Sequence, residues 1–299
     1  MKTEEKNNIP AADGFNIQNE NARKRKIFLK ALKYIVCIIV SVIMLFPMYW
    51  MLTTSFKTPM NVAKFPPQWW PNPWTLANYT EIFYKHPFSK YLWNSLYIAA
   101  LVTLGVVVFS SLAGYAFAKI KFKGNNVLFM IILCGMMMPI EVTIIPIYIA
   151  LSGMQLADRH IGLIICPIFG YCGAFGTFLM RQFFMTVPDE LIQSAKIDGA
   201  TQPKIFVHII LPMAVSSIAT LIIFTFLQSW NDYLLPLVLL SSSDKYTLPI
   251  GLSLLSNEDG MKWELVMAAA TFSTLPILVV FYLCQNKFMA SLSMSGLKG

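Results

Sequence analysis

Long apolar runs alternate with short polar stretches along the chain. Uncharged runs occupy Tyr34–Phe56, Tyr91–Ala118, Ile161–Met180, Ile209–Asn231 and Leu265–Asn286. One more run, Gly124–Ala157, is interrupted by a single charge, Glu141. A bilayer crossing needs about 20 mostly apolar residues, and backbone groups in lipid must be satisfied within their own segment. The pattern therefore predicts an all-α integral membrane protein with six transmembrane helices. The Gly124–Ala157 run is long enough for one span plus a shorter apolar segment. Pro139 and Pro146 are expected to divide it, because proline removes a backbone donor and kinks a helix. The first run follows a basic stretch, as in a signal peptide. It is too long for one, and it continues into Trp50 and Phe56 without a small-residue cleavage site, so it reads as a retained helix.

Composition agrees. Only 13% of the 299 residues are charged and the mean hydropathy is +0.59, against roughly 25% charged in a soluble domain. A soluble enzyme is excluded on these grounds. Lys and Arg are unevenly placed: sixteen lie in the N-terminal tail, the 119–123 loop, the 181–208 segment and the C-terminal tail, and seven lie in the intervening loops. The positive-inside rule then puts both termini in the cytoplasm of a multi-pass cell-membrane protein. The tail is assigned to residues 1–30 and the transmembrane domain to 31–299, with external loops at 57–90 and 241–263. For Arg23–Lys33 two readings stand: an amphipathic helix on the inner leaflet, or a topology-setting flank without fixed structure. The 57–90 loop carries Trp69 and Trp70 between prolines, which suits an interfacial aromatic belt. Its Asn78-Tyr79-Thr80 glycosylation sequon is a common chance match.

No phosphate-cradling glycine loop, dinucleotide fingerprint or HExxH is present, and the three histidines are scattered. The five cysteines all lie in apolar stretches without CxxC spacing, so they read as small core residues rather than a metal site or disulfide framework. No catalytic residue, metal ligand or cofactor-binding residue is expected, and nothing points to nucleic acid.

One segment is not accounted for by lipid. In Arg181–His208, Thr186 reads as an N-cap, Pro188 suits a first turn, and Asp189 and Glu190 suit the positive end of the helix dipole. Gly199 reads as a helix stop. This predicts a helix of about three turns over 188–199, with a second helix restarting at Thr201 and entering the membrane at Ile209. Leu191, Ile192, Ala195 and Ile197 would give the first helix an apolar face towards the cytoplasm. Small residues at Ser194, Ala195, Gly199 and Ala200 would let another backbone approach, as on a partner surface.

The segment resembles the cytoplasmic signature loop of ABC importer permeases, which reads Glu-Ala-Ala, three residues, Gly, nine residues, Ile-x-Leu-Pro. Here Gln193-Ser194-Ala195, Gly199 and Ile209-Ile210-Leu211-Pro212 keep that spacing, with Gln for Glu and Ser for Ala. Phe46–Trp50, Ser111–Phe117, Asp198–Ala200 and Ser229–Tyr233 are similar to the carbohydrate branch of that family. The C-terminal Lys298-Gly299 is similar to the maltose-type second permease subunit. The similarity runs from about residue 30 to the end.

The resemblance implies a type I permease-like bundle that forms half of a pore importing a sugar, in particular an oligosaccharide. It implies a second permease as heterodimer partner, two cytoplasmic ATPase subunits that bind the ATP, and an extracytoplasmic sugar-binding protein. It assigns ATPase coupling to Leu191, Ile192, Gln193, Ser194 and Ala195, with Asp198, Gly199 and Ala200. It extends that role to Ile209, Leu211 and Pro212, with the 188–199 helix as a lever. Glu141, Trp230, Asn231 and Asp232 are candidate pathway or partner contacts. Glu141 and Asp232 have an alternative: they reach the outer headgroups, since a charge at mid-bilayer costs about 2.5–3.5 kcal/mol. Asn257, Glu258 and Asp259 are candidate contacts for the binding protein. Rival readings are an ion-coupled secondary transporter, which would leave the signature loop without a role, and an ABC permease for a non-sugar solute.

Overall fold

A single helix, α1 (Ala12–Ser55), carries the first apolar run together with the basic stretch before it. No Gly or Pro lies between Gly14 and Pro47, and the Lys and Arg residues are good helix formers. Arg23–Lys33 is therefore helical and continuous with the span. The computed structural model describes residues 12–257 and 262–296, with side chains for 25–256 and 262–287. The chain divides into two units, Met1–Thr53 and Thr54–Gly299. The described part of the first is α1 as far as Thr53, and the packing described below is that of the second.

The 57–90 loop is ordered. It holds two short helices, α2 (Pro59–Val62) and α3 (Ala77–Tyr84). Asn78 is 4% exposed and donates both amide hydrogens, to the carbonyls of Ser55 and Lys57, at 2.8 Å each. A side chain so used is closed to glycosylation. Phe56 packs its ring against Trp74 and Tyr79, and Trp70 packs edge-on to Trp74.

The central pillar is α4 (Phe88–Lys119). The third apolar run forms α5 (Asn125–Met136) and α6 (Ile140–Gly153), bent by 102°. Pro139 makes the break by holding extended backbone at the start of α6, whereas Pro146, expected to divide the run as well, lies inside α6 without interrupting it. Membrane helices tolerate such a proline where neighbouring groups satisfy the freed carbonyl.

The fourth span is α7 (His160–Phe169) followed by α8 (Tyr171–Thr186), longer than the expected 161–180. They are offset at Gly170. A Cβ on Gly173 would lie 1.8 Å from the Ile168 carbonyl oxygen, so only glycine permits this tight passage. Ser110 in α4 donates to the Gly173 carbonyl at 3.1 Å, which ties α8 to the pillar. Without a hydrophobic drive between helices in lipid, such close approaches of small residues hold the bundle.

Past α8 come α9 (Asp189–Ile197) and α10 (Gln202–Ile205), a π-turn over Phe206–Ile210, and α11 (Leu211–Met213). Pro212 has no N–H for the His208 carbonyl, and the helix widens just before it, with the Leu211 N–H reaching back to Phe206 O. At Ala214 the chain turns by 78° into α12 (Val215–Trp230), so the expected continuous span 209–231 is broken.

The 241–263 loop contains a partly buried helix. After α13 (Leu234–Leu239), it forms α14 (Leu248–Asn257), whose Leu248, Ile250 and Leu255 are buried. The chain closes with α15 (Trp263–Gly296). Among the described residues, four stretches are long and apolar enough to cross a bilayer, Arg25–Ser55, Phe88–Lys119, His160–Thr186 and Trp263–Lys287. The two bent pairs make six if each is one crossing.

Of the four cysteines in the second unit, Cys172 is buried, Cys134 is exposed and Cys166 and Cys284 are half-buried. The expectation of a core residue holds for Cys172 and is corrected for Cys134, because apolar stretches in a membrane protein have outward faces too.

Candidate functional site

Three features stand out in the second unit. The first is α9. Its C-terminus is closed by a Schellman motif: the Ala200 N–H bonds the Ala195 carbonyl at 2.9 Å and the Gly199 N–H bonds Lys196 O at 3.0 Å. Gly199 has φ +80°, the left-handed stop expected of it. The start differs from expectation. Thr186 does not cap α9; it ends α8 and its hydroxyl donates to Phe183 O at 2.7 Å. Pro188 occupies the cap position without a side-chain bond, and α9 has nine residues. Lys119, at the end of α4, supplies the missing tie by donating to Val187 O at 2.6 Å and to the Asp189 carboxylate at 2.5 Å.

The apolar residues of α9 divide between two faces. Ile192 and Ala195 are 7% and 8% exposed and share a core cluster with Phe184, Ile205 and Phe206. They pack inward and do not form the outward face expected of them. Leu191 and Ile197 are 42% and 86% exposed, beside exposed Gln193, Ser194 and Asp198, with Ala200 half-buried at the cap. Ile209 and Leu211 are half-buried against the same core, and Pro212 is exposed. Tyr115 of α4 donates to Gln202 at 2.7 Å. The helix is thus anchored by one face and free on the other.

The second feature is a cleft of about 1340 Å³ between α4, α5–α6, α7–α8 and the end of α12. It brings together Glu141, Asn231 and Asp232, three of the residues singled out in the sequence. Glu141 stands in the first turn of α6, just past the 102° bend. Asp232 accepts from the Leu235 N–H at 3.4 Å at the start of α13, and the Asn231 amide donates to Leu227 O at 2.9 Å. Trp230 is not in the cleft. It is 2% exposed and stacks on Phe226, 5.6 Å between ring centres, so the candidate contact is a core residue. Tyr171, Gln228 and Tyr233 also line the cleft, and the sequence did not single them out. The signal for Tyr171 was its position directly after Gly170, where a proline- and glycine-containing run breaks the helix.

The third is a polar knot joining the turn before α7 to the segment before α14. Asp158, at φ +53°, accepts from the backbone N–H groups of Ser241 and Ser242 at 3.0 Å and from the Ser242 hydroxyl at 2.6 Å. It also pairs with Lys245 at 2.7 Å. These bonds, Lys245 first, hold its carboxyl well below the usual carboxylate range. His160 bonds Lys245 O at 2.7 Å and, through its other ring nitrogen, the Tyr97 hydroxyl. Asn94 donates to the Asp244 and Tyr246 carbonyls at 3.1 and 3.0 Å. Neither Asp158 nor Lys245 was a candidate, because 87 residues separate them in the chain. Of the proposed binding-protein contacts, Glu258 and Asp259 lie outside the described residues, as does the side chain of Asn257, the last residue of α14. Among the described residues no group of three His, Cys, Asp or Glu could hold a metal ion.

Residues 105–293 match the family described as "Binding-protein-dependent transport system inner membrane component". The chain is 32% identical over 262 residues to the arabinooligosaccharides transport system permease protein AraQ of Bacillus subtilis, covering 87% of this chain and 92% of that protein. It is 33% identical over 281 residues to the sn-glycerol-3-phosphate transport system permease protein UgpE of Yersinia pestis, covering 91% and 98%. Among solved structures, a chain of a bacterial ABC transporter that imports the acidic polysaccharide alginate superposes with a TM-score of 0.75. It shares 22% identity, with 89% of this chain and 98% of that one covered.

Proposed function

The chain belongs to the binding-protein-dependent transport system inner membrane component family, and from that premise we propose that it is the pore-forming permease subunit of an ABC importer for a sugar, in particular an oligosaccharide. The observation that carries the reading is α9, anchored on one face by Ile192, Ala195 and Lys119 and presenting Leu191 and Ile197 on the other. A short rigid helix with an exposed apolar face suits a partner. Here the partner is a cytoplasmic ATPase, with two such subunits and a second permease completing the transporter. ATP binds to the ATPases. An extracytoplasmic sugar-binding protein delivers the substrate at the opposite side, and both termini of this chain lie in the cytoplasm.

Closure of the ATPases on nucleotide moves α9 as a rigid body. The Ile192–Ala195 face passes the motion to Ile205 and Phe206, and the Lys119 tie passes it to α4. Both α4 and the end of α12 border the cleft, so the displacement alters the walls through which the solute passes. Leu191, Gln193 and Ile197 make the ATPase contact, and Gly199 holds the end of the helix.

The test is purification from membranes of cells expressing the chain with its operon neighbours, followed by reconstitution. Expected are stoichiometric recovery of an ATPase and a second permease, and sugar uptake that requires ATP and the binding protein. Recovery of the chain alone, with uptake driven by an ion gradient, overturns the proposal in favour of a secondary transporter.

A further inference from the structure

The cleft has a sign. Among the described residues that line it, Glu141 and Asp232 are carboxylates and none is Lys, Arg or His. The two acids come from different elements, the first turn of α6 and the loop after α12, so the negative character belongs to the cavity rather than to one stretch of sequence. The rest of the polar lining is uncharged and suited to hydroxyl groups, with amides at Gln228 and Asn231 and hydroxyls at Thr143 and Ser229. Tyr171 and Tyr233 also line it, and the Tyr233 hydroxyl lies 3.3 Å from the Ser253 hydroxyl. Apolar walls of low dielectric focus a charge's field instead of screening it.

We infer that this cleft selects neutral polyhydroxylated solutes and rejects anionic ones, so that among sugar-like substrates phosphate monoesters and uronates are excluded by Glu141 and Asp232. Ionised carboxylates accept hydrogen bonds only. A neutral sugar offers them hydroxyl donors, and such charge-assisted bonds are the stronger kind. A phosphate or carboxylate on the solute offers no donor in its ionised form and meets like charge. Discrimination of this kind comes from the repulsive element as much as from the attractive one. The inference rests on the pathway role proposed above, and it adds the charge class of the solute.

The test reads the potential of the cleft without needing the natural solute. Single cysteines are placed at Ser229 and at Thr143, within three residues of each carboxylate, in a chain carrying Cys134→Ala, Cys166→Ala and Cys172→Ala. The assembled transporter is treated with two methanethiosulfonates of similar size, one bearing trimethylammonium and one sulfonate, and labelling of the peptides containing 229 and 143 is followed by mass. After division by each reagent's rate with a free thiol, the cationic reagent is expected to react about tenfold faster or more, as potentials of several kT in a cleft require. Glu141→Gln together with Asp232→Asn should bring the ratio to within about twofold. Equal rates in the unmutated background, or a faster anionic reagent, overturn the inference. So does failure of both reagents to label either position, since the cleft would then hold no water path. Absence of ATP-dependent uptake by a fully recovered complex would count against the proposed function, while the labelling ratio is read on that same complex, so the two failures are separable.

Discussion

Lys119 and Asp189 meet across 70 residues of sequence, with the ammonium 2.5 Å from the carboxylate, and this contact joins the end of α4 to the start of the helix proposed to receive the ATPase. The Lys119 side chain is 7% exposed while that of Asp189 is 70% exposed, so the lysine is the structural partner and the acid its surface counter-charge. Lys119→Met should free the first turn of α9 and the Val187 carbonyl. Faster tryptic cleavage at Lys196 and weaker stimulation of ATP hydrolysis by substrate-loaded binding protein are expected, with insertion unchanged. Asp189→Asn should do less, because Lys119 keeps its bond to the Val187 carbonyl and the exposed carboxylate is already hydrated.

The same contact fixes a pH response. The hydrogen bond and charge of Lys119 lower the Asp189 carboxyl below its ordinary value. A lowered carboxylate stabilises the fold above its unfolded pKa of about 3.9, and the contribution is lost as pH falls through the folded value. Coupling through α9 should therefore be flat from about pH 5 to 8 and weaken only in stronger acid. ATPase stimulation measured across that range checks this, and a midpoint near neutrality would contradict it.

Gly199 is separable from packing. A Cβ placed there meets nothing within 4 Å, so substitution costs only what the left-handed backbone demands, about 1–2 kcal/mol for an ordinary residue and more for a β-branched one. Gly199→Val should lose ATPase attachment while the spans still insert, and Gly199→Asn, which tolerates that conformation, should retain most of it. Subunit recovery after purification decides, and full recovery with valine would mean the helix end is not part of the contact.

A charge on α9 has opposite meanings on its two faces. Ala195→Asp buries a carboxylate in the Phe184–Ile205 core, where an unpaired charge is very costly, and should lower the yield of folded protein. Leu191→Asp and Ile197→Asp alter exposed positions and should leave yield and thermal stability nearly unchanged while ATPase recovery falls. Normal coupling in both exposed variants would remove α9 as the docking surface.

At the polar knot before α14, Asp158→Asn keeps the geometry and removes the charge that Lys245, Ser241 and Ser242 gather around. A half-exposed ion pair with supporting hydrogen bonds contributes about 1–2 kcal/mol. Protease nicking between α13 and α14 should increase, and Lys245→Met should reproduce the effect with little further loss in the double variant. Since Asp158 is lowered by its partners, the wild-type knot should hold from about pH 5 upward and open only in strong acid.

The spans were legible because a charge-free apolar run of about 20 residues is what a bilayer crossing demands and a water-exposed helix does not, and Gly199 because the left-handed conformation has a strong residue preference. The bends were less so. Pro139 and Pro146 look alike in sequence, yet only the first sits where the chain can leave the helix, and the turn at Ala214 follows from a π-turn that Pro212 provokes some residues earlier. The facing of α9 was hidden for a different reason: Ile192 and Leu191 are equally apolar, and only the core that includes Phe184, Ile205 and Phe206 decides which is covered. Trp230 misled because an aromatic residue beside Asn231 and Asp232 looks like part of a polar site, whereas Phe226, one helical turn earlier, claims its ring. Glu141 and Asp232 were visible as isolated acids, but their sharing of one cavity depends on the folding of α6 back past α13.

The 102° bend between α5 and α6 also bears on how the protein is made. At 1.5 Å per residue, the 12 residues of α5 and 14 of α6 reach about 18 and 21 Å, short of a hydrocarbon core about 30 Å thick. The stretch between them leaves backbone groups that lipid cannot satisfy. α1 and α4 can leave the insertion machinery for the bilayer as soon as they are synthesised. The α5–α6 pair has no stable place there until α8 and α13, against which its halves pack, have arrived. Biogenesis must therefore hold the middle of the chain in waiting while its C-terminal half is still on the ribosome, and truncated chains ending before α8 should be recognised by membrane quality control as incomplete.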